Sequence, residues 1–164
     1  MAGSWSSVDD LRLRARRRLP RFAFDFIDGG AGDEGSLRRN VEAYRQATLT
    51  PRVLRNVDGD LATAAPIFGK TWRVAFGVAP VGMAGIAWPG IDGWIAAGAE
   101  RAGAPYTAST PATATLEELR QAAPTSSWFQ LYVGREQWIA DDLLRRAEAV
   151  GYDTLLVTAD VPKP

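Results

Sequence analysis

Residues 127–160 read SWFQLYVGREQWIADDLLRRAEAVGYDTLLVTAD, and this stretch decides the fold class. Two short apolar runs, SWFQLYV (127–133) and TLLVTAD (154–160), flank a segment whose apolar residues recur at helical spacing and which ends at Gly151. A strand, a helix closed by glycine and a second strand, joined by short junctions, form a right-handed crossover unit with parallel strands. The same grammar extends upstream. VAFGVAP (74–80) reads as a strand, IDGWIAAGAERAG (91–103) as a helix, APYTAS (104–109) as a strand and TLEELRQAA (115–123) as a helix. Four strands separated by three helices, with Gly103 repeating the construction at Gly151, predict an α/β protein with a parallel sheet.

Residues 1–73 follow another pattern. Ser7-Val8-Asp9-Asp10 reads as a capped helix start, and the helix should run to about Arg18, before Pro20. A short second helix carries Phe22, Phe24, Phe26 and Ile27 and ends at Gly29-Gly30, a pair suited to a left-handed cap. A third should start near Asp33 and end around Ala47, with Leu37, Val41 and Tyr44 on one side. Gly69-Lys70, between APIF and TWRVAF, suggests a hairpin.

Composition narrows the chemistry. The 164 residues carry 19 basic and 19 acidic side chains, so no net field draws the chain to nucleic acid or acidic lipid. With no cysteine there is no disulfide framework or thiolate nucleophile, which suits a cytoplasmic protein, free or peripheral to a membrane. With no histidine, the commonest general base near neutral pH and the commonest metal ligand are both missing. No apolar run approaches the roughly 20 residues of a membrane-spanning helix. The six arginines of LRLRARRRLPR (11–21) follow Asp9 and Asp10 without a nucleic-acid motif and read as a solvated or interface helix. GGAGDEG (29–35) has an acidic pair and no preceding strand, which argues against a phosphate loop.

In parallel α/β folds ligands sit at the carboxyl ends of the strands. Those ends carry Pro80-Val81-Gly82, Ser109-Thr110, Gln130 with Tyr132, and Thr158 with Asp160. Gln130 and Tyr132 share one strand face, with Phe129, Leu131 and Val133 on the other, and Thr158 and Asp160 share a face by the same rule. Amide, hydroxyl and main-chain groups without a basic side chain suit a flat heterocycle of alternating donors and acceptors. They suit a phosphate or a hard cation poorly. Length alone favours a doubly wound sheet over a (β/α)8 barrel, but APVGMAG after the first strand lacks the expected glycine fingerprint.

The stretches LPRFAFDFIDGGAGDEGSLRRN, LTPRVLRNV, VAFGVAPVGMAG, WFQLYV and TLLVTADVPKP, in this order, resemble the FMN-dependent α-hydroxy-acid dehydrogenases and oxidases, such as L-lactate dehydrogenase, mandelate dehydrogenase and glycolate oxidase. The resemblance implies a (β/α)8 TIM barrel, represented by an N-terminal helical segment and hairpin (1–73) and about the first four strands (74–164). It implies FMN as cofactor, with Pro80, Val81 and Gly82 along the flavin and Ser109, Gln130 and Thr158 bonded to its ring. Tyr132 would face both flavin and substrate, and Phe26 stands where the family commonly has a substrate-binding tyrosine. The implied reaction oxidises a small L-2-hydroxy acid to a 2-oxo acid, with electrons passing to FMN, in a protein that forms homo-oligomers when full length. The family's substrate arginine would come three positions beyond Pro164, and its lysine, histidine, second arginine and phosphate loops later still.

Residues 1–164 alone are therefore expected to be inactive, and a non-catalytic half-barrel association module or a decayed gene product is the alternative reading. With VAFGVAP and TLLVTAD as bare apolar edges, the isolated chain should associate and should not retain FMN. Sedimentation, calorimetry and gel filtration check this: a monodisperse, cooperatively melting monomer that stays yellow would contradict it.

Overall fold

The computed structural model describes residues 6–54 and 61–159. The chain divides into two compact units, Met1–Asp60 and Leu61–Pro164. Asp160 lies outside the described residues, so its expected place beside Thr158 goes undescribed.

The first unit is helical: α1 (Val8–Arg18), α2 (Arg21–Asp28) and α3 (Gly35–Gln46). A reciprocal capping box starts α1, where the Asp10 N–H donates to Ser7 Oγ and the Ser7 N–H to the Asp10 carboxylate. Arg12 forks onto Asp28 at the end of α2, at 2.5 and 2.8 Å, and holds that carboxyl below its usual range. The end of α2 corrects the expected left-handed cap, because Gly29 is extended, with φ −82° and ψ 162°. Its Cα is crowded instead of left-handed: a Cβ there would stand 2.8 Å from the Asp25 carbonyl oxygen. The left-handed residues come later, at Gly32 and at Glu34, which precedes α3.

The second unit opens with an antiparallel hairpin, β1 (Ala65–Ile67) and β2 (Lys70–Trp72). A three-stranded parallel sheet follows in the order β3 (Tyr106–Ser109), β4 (Ser127–Tyr132), β5 (Leu155–Thr158). The crossovers contain α4 (Ile91–Ala102), α5 (Leu116–Ala122) and α6 (Gln137–Ala149), α4 preceding β3. A short 3-10 turn spans Ala84–Ile86. The glycines expected to end helices do so, Gly103 and Gly151 having positive φ.

The expected strand at 74–80 is reduced to a single parallel bridge between Val78 and Tyr106. The Val78 N–H donates to the Pro105 carbonyl at 2.8 Å, and the Thr107 N–H donates to the Val78 carbonyl at 3.1 Å. Beyond that bridge the ladder fails for a covalent reason, since Pro80 and Pro105 have no N–H to give. The bridge still sets this segment beside β3, so the lateral order follows the chain.

The two faces of the sheet divide the labour. On one, Tyr106, Ala108, Phe129 and Leu131 pack against Ala96 and Ala99 of α4, Leu116 and Leu119 of α5, and Ala140 and Ala147 of α6. Alanines at the helix contacts let the backbones approach the sheet closely. Burial, and to a lesser degree the negative charge of Asp92, pushes the Tyr106 phenol well above its ordinary pKa. On the other face, Trp128 meets the hairpin, edge-on to Trp72 at 5.6 Å and tilted against Phe68 at 5.4 Å. Phe68 and Gly69 both have positive φ, as a two-residue hairpin turn of type I′ requires. For a phenylalanine that backbone is costly, and its ring contact with Trp128 offsets the strain. The hairpin thus fills the amino-terminal end of this face and leaves the carboxyl ends of the strands clear.

Glu100, near the end of α4, secures the start of β4 by accepting from the Thr125 N–H (3.1 Å), the Thr125 hydroxyl (2.5 Å) and the Ser126 hydroxyl (2.6 Å). Burial drives its carboxyl upward, but the bonds from Ser126 and Thr125 outweigh it and hold the pKa low. A depressed folded pKa contributes stability above the unfolded value and loses it as pH falls through the folded one. Glu100→Gln in the full-length protein should therefore cost about 1–2 kcal/mol near neutral pH. The deficit should shrink below about pH 4. Denaturant titration across pH measures both.

Candidate functional site

Parallel register brings the polar residues of three strands into one row. Ser109 pairs with Gln130 across β3 and β4, and Tyr132 pairs with Thr158 across β4 and β5, so all four share the face opposite the helices. The Gln130 side chain is 2% exposed and sits at the centre. Its Oε1 accepts from the Ser109 hydroxyl (3.1 Å) and the Thr110 N–H (3.3 Å), while its Nε2 donates to the Thr158 hydroxyl (2.8 Å). These bonds fix the amide's orientation, because a flipped amide would set its NH2 against the Thr110 N–H.

That orientation decides what the row offers. With both Oε1 positions used, Gln130 keeps one N–H for which the described residues supply no acceptor. The Ser109 oxygen, having donated its proton, keeps lone pairs, and the Thr158 hydroxyl, having accepted, keeps its own O–H. Acceptor, donor, donor therefore run in sequence across the strand ends, with no charged side chain in the row.

Pro80, Val81 and Gly82 lie on the loop after the Val78 bridge, with Pro80 and Val81 exposed. Gly82 belongs beside the row, since a Cβ there would stand 3.8 Å from Ser109 Oγ and 2.8 Å from Pro111 Cγ. Tyr132, at the end of β4, is 41% exposed. Phe26, on α2 in the first unit, has a side chain more than half exposed. The resemblance groups Ser109, Gln130 and Thr158 as ring-binding residues, and the structure shows the three side chains hydrogen-bonded to one another.

Other residues at the site went unnoticed or undervalued. Thr110 stitches the end of the ladder: its hydroxyl donates to the Gln130 carbonyl (2.7 Å) and accepts the Tyr132 N–H (3.0 Å). Asp92 in α4 is buried, and one of its carboxylate oxygens accepts both the N–H and the hydroxyl of Thr113. The available signal was a lone carboxylate in the otherwise apolar WPGIDGWIAAGA.

Gln130→Leu keeps the bulk but strips the acceptor from Ser109 and from the Thr110 N–H. The full-length protein should lose about 1–3 kcal/mol, the cost of buried groups left unpaired, as read by denaturant unfolding. A change within a few tenths of a kcal/mol would show that the row is not under load.

Comparison with known proteins follows the same lines. A profile of the FMN-dependent dehydrogenase family matches residues 15–164. A crystal structure of mandelate oxidase is 38% identical with a TM-score of 0.88, covering 97% of this chain and 46% of its own. A soluble mutant of the membrane-associated (S)-mandelate dehydrogenase from Pseudomonas putida is 33% identical with a TM-score of 0.89, covering 96% of this chain and 45% of its own. The chain spans less than half the length of these structures. Its parallel strands and helices are the amino-terminal part of a (β/α)8 barrel, with no closed barrel among the described residues. The chain belongs to the FMN-dependent dehydrogenase family, whose cofactor is FMN.

Proposed function

We propose that this chain is the flavin-cradling part of an oxidoreductase that converts a small L-2-hydroxy acid, of the lactate or mandelate kind, into the 2-oxo acid. The observation that carries the reading is the uncharged row of Ser109, Gln130 and Thr158, with its acceptor, donor, donor sequence. Along the pyrimidine ring of an isoalloxazine the imide N–H is followed by a carbonyl oxygen and an unprotonated ring nitrogen, which asks for one acceptor followed by two donors. The residues present fit that group. When bound, FMN supplies the two-electron acceptor that no side chain of the twenty can provide.

The chain's own residues do the rest of the work assigned to it. Ser109 and Gln130 hold the ring's polar edge in register with the sheet, and Thr158 extends the grip across β5. Pro80 and Val81 offer an apolar surface that excludes water from one side of the ring. The Tyr132 phenol, two residues beyond Gln130 on the same face, orients the substrate. By the sequence resemblance alone, Phe26 takes the place of a substrate-binding tyrosine, a change that would remove one hydrogen bond worth roughly 1–3 kcal/mol. No residue of this chain is a histidine, so a histidine base would come from outside residues 1–164, where the family resemblance also places the arginines that clamp a carboxylate.

Mandelate oxidase and (S)-mandelate dehydrogenase among the similar structures support an α-hydroxy acid as substrate. Among the described residues no helix is long and apolar enough to cross a membrane. A place of work in the cytoplasm or at a membrane face is part of the proposal, as is assembly of the full-length form as a homo-oligomer.

The full-length protein should purify yellow and release FMN on denaturation. Its bound flavin should bleach anaerobically with an L-2-hydroxy acid and yield the 2-oxo acid. Gln130→Leu should purify with FMN occupancy reduced about tenfold or more, the effect of one buried ring contact. A colourless wild-type protein, or a flavin unmoved by a panel of lactate, glycolate and mandelate, would overturn the proposal.

A further inference from the structure

We infer that Asp92 is a positioning residue for the flavin site, acting through Thr113 to hold the loop that follows Ser109 against the loop that carries Pro80, Val81 and Gly82. The inference rests on the flavin reading above. Asp92 is 2% exposed and lies in the first turn of α4. A carboxylate so buried is costly unless its lone pairs are used. One of its oxygens accepts both the Thr113 N–H (3.1 Å) and the Thr113 hydroxyl. The helix start contributes a favourable dipole for the remaining charge.

Thr113 is crowded by a second segment as well. A Cβ on Gly85 would meet Thr113 Oγ1 at 2.4 Å, and a Cβ on Gly82 would meet Pro111 Cγ at 2.8 Å, so the segment after Pro80 meets the loop after Ser109 at two glycines. The Met83 N–H donates to the Pro111 carbonyl at 2.8 Å, and Met83 takes a left-handed backbone, φ 54°, to do so. Within the same loop the Ala112 N–H donates to the Ser109 carbonyl at 3.0 Å. Thr113 is thus wedged between a buried carboxylate and a glycine, and the chain on each side of that wedge leads within a few residues to a flavin-row or flavin-loop position. Asp92 touches none of the row itself. Its effect on the cofactor is transmitted by where it puts Thr113.

The test uses the full-length protein, with three readouts: the FMN dissociation constant from quenching of flavin fluorescence, the visible circular dichroism of the bound flavin, and the thermal midpoint. Thr113→Val keeps size and removes the donated hydroxyl. It should weaken FMN binding about tenfold and alter the dichroism, on the scale of one hydrogen bond to a charged group. Thr113→Ser should restore both, and Asp92→Leu, which keeps the shape and removes the accepting oxygen, should follow Thr113→Val. The inference is overturned if Thr113→Val lowers only the thermal midpoint, with affinity and dichroism as in wild type, or if Thr113→Ser fails to restore them. Should Asp92→Leu not fold, the Thr113 pair decides alone. Wild-type protein that binds no FMN would sink the flavin reading itself, an outcome separate from wild type and Thr113→Val binding equally well.

Discussion

The parallel register of β3, β4 and β5 is the constraint from which the site follows. A shift of one residue in either pairing would turn Gln130 toward the helices and bring Phe129 or Leu131 to the open face. The apolar set forbids that slip, because Phe129 and Leu131 are almost wholly buried against α4, α5 and α6. Core packing therefore selects the register, and the register sets Ser109, Gln130 and Thr158 side by side. Once adjacent, the three side chains orient one another, so the pattern offered to a ligand is settled before any ligand arrives. Such preorganisation removes an ordering cost from binding.

The two ends of the sheet's open face are built from opposite chemistry. At the amino ends, Trp128, Trp72 and Phe68 make an aromatic plug that the hairpin brings in, with the Lys70 ammonium 4.4 Å from the Trp72 ring centroid and also donating to the Thr125 carbonyl. At the carboxyl ends the described residues supply amide, hydroxyl and main-chain groups, approached by the glycine-bearing segment after Val78. Stability and function are thereby separated along the strand axis. Residues near the plug, including Glu100, secure the elements, while those at the far end remain available to chemistry.

Much of this was legible from the residues because it depends on local period. The two-residue repeat placed Gln130 with Tyr132 and apart from Phe129, and glycines at 103 and 151 marked helix ends where a positive φ was needed. Features set by neighbours in space were not legible. Val74 to Pro80 has the composition of a strand, yet the prolines at 80 and 105 leave a single bridge, which only the pairing partner reveals. Gly29 looked like a left-handed cap, but it is small because the Asp25 carbonyl crowds it. Asp92 gave no periodic signal, since its importance lies in a threonine 21 positions away. Thr110 was visible at a strand end, but its double role across the ladder depends on the lateral register.

A crystal structure of the full-length protein purified with its own FMN tests the central claim most directly. The account predicts the polar edge of the isoalloxazine within hydrogen-bonding distance of Ser109 Oγ, Gln130 Nε2 and Thr158 Oγ1, with the Gln130 amide oriented as it is without ligand. A flavin ring seated away from these three side chains, or a Gln130 amide turned to direct its oxygen at Thr158, would contradict it.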